Sequence, residues 1–293
     1  MSRIVLGENS YGKAECRLVR VERDASGGAH PGRHEIEDLT VTTQLRGDFE
    51  ACHTDGDNAH VLPTDTQKNT VYAFAREHGV GSPEAFCLRL ADHFVDTVTW
   101  VEGAEVSADL HAWGRIGGTE TGAGHDHAFV REGRETRTCV VDHGPDGTSI
   151  TAGLRDCTVL KSTGSEFGGF PRDRYTTLAE TDDRILATSL TATWRYAPGT
   201  VGADWDALYA SVRDLLLDTF ATTHSLALQQ TIFAMGRAVL EAHDEVVEVS
   251  LSCPNKHHFL VDLEPFGLDN PGQVFHAADR PYGLIRATVR RED

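Results

Sequence analysis

One order of elements, strand, strand, helix, helix, strand, strand, is met twice along the 293 residues of this chain, and it constrains the fold more than any other feature. In the first half, residues 15–22 and 35–45 read as extended and flank a turn-rich stretch at 25–32. Helical patterns follow at 67–78 and 83–98. The second is opened by Ser82 as N-cap, with Pro83 in the first turn, where a missing N–H costs nothing. Extended segments return at 99–113 and 128–141. The cluster His143-Gly144-Pro145-Asp146-Gly147 is built of turn formers and marks the internal boundary. Beyond it, 149–161 and 184–196 read as strands. Asp204 and Ser225 stand as caps before two helices. One carries Trp205, Leu208, Val212, Leu215 and Thr219 at helical spacing, the other Leu228, Ile232, Met235 and Val239. Strands at 246–253, 257–263 and 284–289 complete the second half. Antiparallel strands with helices on one face make an α+β unit, and two such units in tandem, 1–143 and 148–293, are the expected architecture.

Composition narrows the function classes. With 40% hydrophobic and 25% charged residues the chain can build a core. Its 45 acidic against 27 basic residues give a net charge of −18. Such a field repels phosphate backbones and anionic lipid, so neither nucleic acid nor a membrane surface is the expected partner. Cys16, Cys52, Cys87, Cys139, Cys157 and Cys253 lie far apart, with no C-x-x-C pair and no zinc-like spacing. Thiols in a reducing cytoplasm fit that pattern. No secretory signal opens the sequence, and Arg290-Arg291-Glu292-Asp293 is not a peroxisomal address, so a cytoplasmic enzyme is expected. Glycine-rich dinucleotide and phosphate loops and the G-x-S-x-G elbow are all missing from the sequence.

Several polar segments remain that no fold requires: Tyr11-Gly12-Lys13, the run TDTQKNT from Thr64 to Thr70, the run LKSTGSEFGGFPRDRYTTL from Leu160 to Leu178, Leu228-Gln229-Gln230-Thr231, and Pro254-Asn255-Lys256-His257-His258-Phe259. Lys13 is a surface lysine by default. An amine whose pKa is lowered by burial or nearby positive charge can instead draw a proton through a hydroxyl. Thr64 and Asp65 suit an N-cap, and the same geometry aims backbone N–H groups at an anionic or carbonyl-rich ligand. Phe167, set among Gly164, Gly168 and Gly169, offers either core packing or a face on which a planar heterocycle stacks.

Arg184 shares parity with Leu186, Leu190, Trp194 and Tyr196 and so faces the apolar side. It needs a partner there, either Asp182 or Asp183 in a structural ion pair, or an anionic ligand gripped by its rigid fork. Gln229 reads as a solvent-facing helix residue or as the complement of an N–H beside a C=O. Asn255 after Pro254 is ordinary turn chemistry. His257 is either structural or the imidazole of a base–hydroxyl–imidazole relay with Lys13 and Thr64.

Together these segments resemble urate oxidase (uricase), from about Lys13 to about Val289. The resemblance implies the T-fold (tunnelling fold), in which tandem units from several subunits close a barrel around a tunnel. It also implies a homotetramer with active sites shared between subunits. The implied reaction is urate + O2 + H2O → 5-hydroxyisourate + H2O2, the first step of urate degradation, with no metal and no organic cofactor. Lys13, Thr64 and His257 are then the catalytic relay, Thr64 entering the site from a neighbouring subunit. The substrate would be stacked on Phe167 and clamped by Arg184 and Gln229. Thr64, Asp65 and Leu228 would touch it too, the last two through the backbone, and Asn255 would lie over the purine beside the oxygen site. Leu228 stands where many relatives carry valine, which leaves a backbone role intact. His258 replaces a common tyrosine and is expected behind the contacting residues.

Two rival readings stay open on sequence. On a strand, His125 and His127 of His125-Asp126-His127 would share a face, the clue for a metal-dependent purine or pterin hydrolase on the same fold. No third ligand at a telling spacing accompanies them, and no metal is expected. A catalytically silent urate-binding protein is the other rival, although binding alone would not need Lys13, Thr64 and His257 together.

Overall fold

The computed structural model describes residues 3–23, 32–117 and 124–292. Except for Gly32, the turn-rich stretch expected at 25–32 lies outside the described residues. The chain forms two compact units, residues 1–152 with 196–206, and residues 153–195 with 207–293.

In the first unit, β1 (Tyr11–Glu22), β2 (Glu35–Gly47) and β3 (Val101–Leu110) are followed by a short ribbon, β4 (Trp113–Arg115) with β5 (Phe129–Arg131), and by β6 (Thr136–Gly144). The sheet order is β1-β2-β3-β6, antiparallel at every pairing. Alternation fixes its inner face, because Leu39, Val41, Thr43 and Leu45 of β2 are all fully buried while Thr40, Thr42, Gln44 and Arg46 are not. Three helices, α1 (Glu50–Thr54), α2 (Thr64–His78) and α3 (Pro83–Thr97), lie between β2 and β3. As predicted, α3 starts with Ser82, whose Oγ accepts from Ala85 N at 3.3 Å, and it buries Phe86, Leu90 and Phe94 against β3 and β6. Neither α1 nor the β4–β5 ribbon is legible in sequence, since each is too short to show a period.

One charged cluster ties this unit together. Arg137 on β6 reaches Glu84 at 2.7 Å and Asp206 at 2.6 Å, with Arg137 8% and Glu84 0% exposed. Burial holds the Glu84 carboxyl above its usual range despite that partner. Burial also works to lower Arg137, but its two carboxylates outweigh it and the guanidinium stays raised.

The turn cluster His143–Gly147 is the hairpin from β6 into β7 (Gly147–Lys161), which runs on into the second unit. There the order is β7-β8-β9-β10, with β8 (Leu186–Tyr196), β9 (Val246–Leu260) and β10 (Phe275–Arg290). Helices α4 (Trp205–Thr222) and α5 (Leu228–Ala242) stand between β8 and β9. The buried face of α5 is the one predicted, Leu228, Ile232, Met235 and Val239. It rests on β9 and β10 so closely that a Cβ on Gly236 would stand 2.7 Å from Val289 Cγ2. On α4 the buried row is Trp205, Val212, Leu216 and Phe220 rather than the predicted Trp205, Leu208, Val212, Leu215 and Thr219. A four-residue step carries the stripe one position further round the helix.

Each unit is therefore α+β, in the predicted order apart from two differences. The first unit adds α1 and the β4–β5 ribbon, and in the second the strands expected at 246–253 and 257–263 merge into β9. Among the described residues no helix is long and apolar enough to cross a membrane.

Candidate active site

A cavity of about 630 Å³ opens in the second unit, and its wall includes Phe167, Arg184, Asn255 and His257. The loop carrying the first two is fixed by backbone hydrogen bonds. Glu166 N donates to Ser225 O at 2.8 Å, Ser225 N to Gly164 O at 2.9 Å, Phe167 N to Thr181 O at 2.9 Å and Arg184 N to Ser165 O at 2.8 Å. The loop is thus zipped onto the segment that precedes α5. This use of Ser225 corrects its predicted role as a cap: it is fully buried and bonds Thr231 Oγ1 at 2.5 Å. Gln230 takes over part of the capping, its Oε1 accepting from Leu226 N at 2.8 Å. Leu228, buried, and Gln229, exposed, then begin the helix beside this loop and outside the cavity wall.

Arg184 lies just ahead of β8, its guanidinium carbon 5.2 Å from the Phe167 ring centre. Phe170 stacks against the same ring at 5.0 Å with an 18° tilt. Arg184 Nε is buried with no hydrogen-bond partner. Asp183, one of its two candidate ion-pair partners, instead accepts from Thr163 Oγ1 at 2.9 Å and Gly164 N at 3.1 Å. Burial holds the guanidinium below its ordinary pKa. A desolvated cation without a counter-charge is costly, and an anionic ligand in the cavity offsets that cost.

Asn255 does not sit in a turn between separate strands at 246–253 and 257–263, with His257 opening the second, as the sequence suggested. Both belong to the continuous strand β9, and the irregularity falls on its partner. His257 pairs with Ala278 and Asn255 with Gly283, so Asp279, Arg280, Pro281 and Tyr282 bulge opposite Lys256. A proline, lacking an N–H, is tolerated in such a bulge. Asn255, His257 and Phe259 share one face of β9, and the His257 ring stacks on Phe259 at 5.8 Å. His258, expected behind the contacting residues, also reaches the cavity wall.

Lys13, Thr64 and Asp65 belong to the first unit. Gly12 is required by its neighbour: a Cβ there would fall 1.7 Å from the Thr43 carbonyl oxygen. A bulge follows Lys13, with Ala14 and Glu15 opposite Thr42 and Glu15 in the left-handed region at φ 56°. Lys13 N donates to Thr43 Oγ1 at 3.3 Å, and that hydroxyl donates in turn to Gln67 Oε1 at 2.7 Å.

Thr64 and Asp65 do not cap α2, contrary to expectation. Pro63 holds the cap position without a side-chain bond, and the two residues are the first of the helix. The Asp65 carboxylate accepts from Lys68 and from Asn69 at 3.1 Å. The Lys68 hydrogen bond and charge hold it below the usual carboxylate range, and the charge of Lys13 adds to the effect.

Sequence reasoning missed Phe170, Phe259, Thr43 and Gln67. Phe170 was legible as the second aromatic of the F-G-G-F run. Thr43 was legible as a hydroxyl in a row of aliphatic inward positions. His125 and His127 occupy a bend rather than a strand, with ring centres 4.5 Å apart. Among the described residues no group of three or more His, Cys, Asp or Glu side chains could hold a metal ion.

The uricase family model matches residues 9–142 and 150–286. The chain is 60% identical over 291 residues to a uricase of Arthrobacter globiformis, covering 99% of this chain and 91% of the relative. It is 37% identical over 294 residues to a uricase of Aspergillus flavus, covering 96% and 95%. The crystal structure of uricase from Arthrobacter globiformis superposes with a TM-score of 0.91 at 60% identity, over 99% of this chain and 96% of that one. A uricase crystal structure from Bacillus fastidious gives a TM-score of 0.80 at 25% identity, over 96% and 93%.

Proposed function

Since the chain belongs to the uricase family, we propose that it oxidises urate with O2 and water to 5-hydroxyisourate and H2O2, using its own side chains and no bound cofactor. The observation that carries this reading is Arg184, a half-buried cation with an unsatisfied Nε poised over the Phe167 ring at the wall of a cavity. Urate is planar, anionic at neutral pH and edged with alternating N–H and C=O groups. Phe167 takes its face, Phe170 stiffens that platform, and Arg184 takes an oxygen and a ring nitrogen through its fork. Gln229 answers an N–H beside a C=O. Asp65 and Leu228, each in the first turn of a helix, contribute backbone N–H groups that have no intrahelical acceptor.

Lys13, Thr64 and His257 handle protons. With Lys13 as base acting through the Thr64 hydroxyl, the bound urate loses a proton and becomes electron-rich enough to reduce O2. A carbon–oxygen bond forms to O2, and the relay returns its proton to the outer oxygen to give a hydroperoxide. Water held near Asn255 and Thr64 then attacks that carbon, and its proton passes to the departing peroxide, which leaves as H2O2. Such a relay contributes about 10²–10⁴-fold, while the clamp orients and desolvates the purine.

The clamp sits on the second unit and the relay's lysine and threonine on the first. In the proposed assembly, a homotetramer of tandem T-fold units 1–143 and 148–293, the first unit of one copy completes the cavity of another. The described cysteines are free thiols, which fits a reducing cytoplasm.

Oxygen uptake with urate, after exhaustive chelation, tests the reaction. Uptake with peroxide release is expected. Urate binding without uptake, or activity lost on chelation and restored by metal, would overturn it.

A further inference from the structure

We infer that Thr43 and Gln67 are positioning residues for the reaction, a buried hydrogen-bonded pair that locks the strand bearing Lys13 to the first turn of the helix bearing Thr64. The inference rests on the reading of Lys13 and Thr64 as proton-handling residues.

Both side chains are out of place in their rows. Thr43 lies between Val41 and Leu45 on the inner face of β2, where valine has the same shape, and all three are fully buried. Gln67 heads the buried stripe of α2, followed by Val71 and Ala75, and is itself 0% exposed. A hydroxyl and an amide taken out of water are each costly unless paired. Here they pair with each other, and the hydroxyl both donates and accepts. Thr43 Oγ1 gives its one proton to Gln67 Oε1 at 2.7 Å and receives Lys13 N–H at 3.3 Å. Because the bulge begins at the next residue, Lys13 stands where the β1–β2 ladder is interrupted, and its N–H is held by a side chain.

The other end of the pair closes the turn into α2. Gln67 N donates to Pro63 O at 3.1 Å, and Gln67 Nε2 lies 3.5 Å from Leu62 O, so one glutamine holds the two residues that lead into Thr64. A β-branched threonine, stiff at χ1, therefore transmits the position of β1 to the turn that carries the hydroxyl partner of Lys13. The pair touches neither substrate nor reacting atoms. Its effect is on the relative placement of Lys13 and Thr64, where an ångström of slack costs about a hundredfold in rate.

The test is steady-state kinetics, pH profiles and thermal unfolding of the full-length protein with Thr43→Val, Thr43→Ser, Gln67→Met and Lys13→Met. Thr43→Val and Gln67→Met are each expected to lower kcat by about 10- to 100-fold and to displace a limb of the kcat–pH profile. KM for urate should stay within about threefold and Thr43→Ser should recover most of kcat, since only the relay is disturbed. The double variant should lose little more than either single one, as expected for coupled residues. Lowered thermal stability with kcat and pH profile unchanged would overturn the inference and leave the pair purely structural. Should Thr43→Val fail to fold, Gln67→Met and Thr43→Ser still decide, because an unaltered kcat in Gln67→Met is incompatible with a positioning role. If Lys13→Met abolishes turnover while both pair variants retain it, the inference alone fails. If Lys13→Met retains turnover, the reading of the relay fails and this inference with it.

Discussion

The Arg184 guanidinium carbon lies 5.2 Å from the centre of the Phe167 ring, while Nε of the same arginine is buried without a hydrogen-bond partner. A cation over an aromatic face gains about 0.5–2 kcal/mol, less than the desolvation of an unpaired charge costs. On the proposed function, an anion entering the cavity restores that balance, and the same two residues give the site its preference for a flat anion.

Arg184→Ala should therefore act on binding. Losing charge-assisted hydrogen bonds worth about 1.5–3 kcal/mol raises KM for urate by about 10- to 100-fold, with a smaller fall in kcat. Arg184→Lys should not restore affinity, because a point charge cannot replace the planar fork. Steady-state kinetics and equilibrium binding of a slowly turned-over urate analogue check both statements.

Lys13→Met and Thr64→Ala should act on turnover. Each is expected to lower kcat by about 10²–10⁴-fold while leaving urate binding within a few fold. Pre-steady-state absorbance in the near ultraviolet separates the two quantities. Full turnover in Lys13→Met would remove that lysine from the mechanism.

Gly12→Ala should cost stability as well as activity. The added methyl falls 1.7 Å from the Thr43 carbonyl oxygen, so β1 must move away from β2 at the point where Lys13 is held. Overpacking of this kind costs about 1–3 kcal/mol, and a backbone partner cannot rotate aside as a side chain would. Thermal unfolding should show the loss. An unchanged midpoint would mean that the two strands are not held at this separation.

Cys253 gives a pH dependence with a defined sign. Burial pushes its thiol up to about 11 from 9.0. The folded state favours the protonated form, so its contribution is complete below about 9 and is lost as pH rises through that value toward 11. Between about pH 8 and pH 10.5 the unfolding midpoint of the unaltered protein should fall more steeply than that of Cys253→Ala. Parallel curves would show that this thiol does not couple to folding.

Much of this was legible from residue types and periods alone, and the misses have local causes. The parity of Arg184 with Leu186 and Trp194 was read as part of a strand, but β8 begins only at Leu186 and Arg184 lies in the loop ahead of it, half-buried at the cavity wall. Pro254 and Asn255 are turn formers, and they masked the continuation of β9, which depends on pairing with a β10 segment more than twenty residues away. Thr64 and Ser225 have the chemistry of caps, yet Pro63 holds one cap position and Thr231 recruits the other hydroxyl. Thr43 and Gln67 could not be matched from sequence, since nothing local says that two polar residues in separate apolar rows will meet. The motifs themselves, Y-G-K, T-D-x-x-K-N-T and P-N-K-H, carried the family and hence the substrate class.

The most direct measurement is complementation between two impaired variants, Lys13→Met in turnover and Arg184→Ala in binding. They are co-expressed, purified as mixed oligomers and assayed at urate well below the KM of the unaltered protein. If the first unit of one copy completes the cavity of another, some mixed sites contain both intact residues. Urate-dependent oxygen uptake should then return to a sizeable fraction of the unaltered protein's rate, while each variant alone stays well below it at that urate concentration. Mixed oligomers no faster than the single variants would contradict an active site shared between copies.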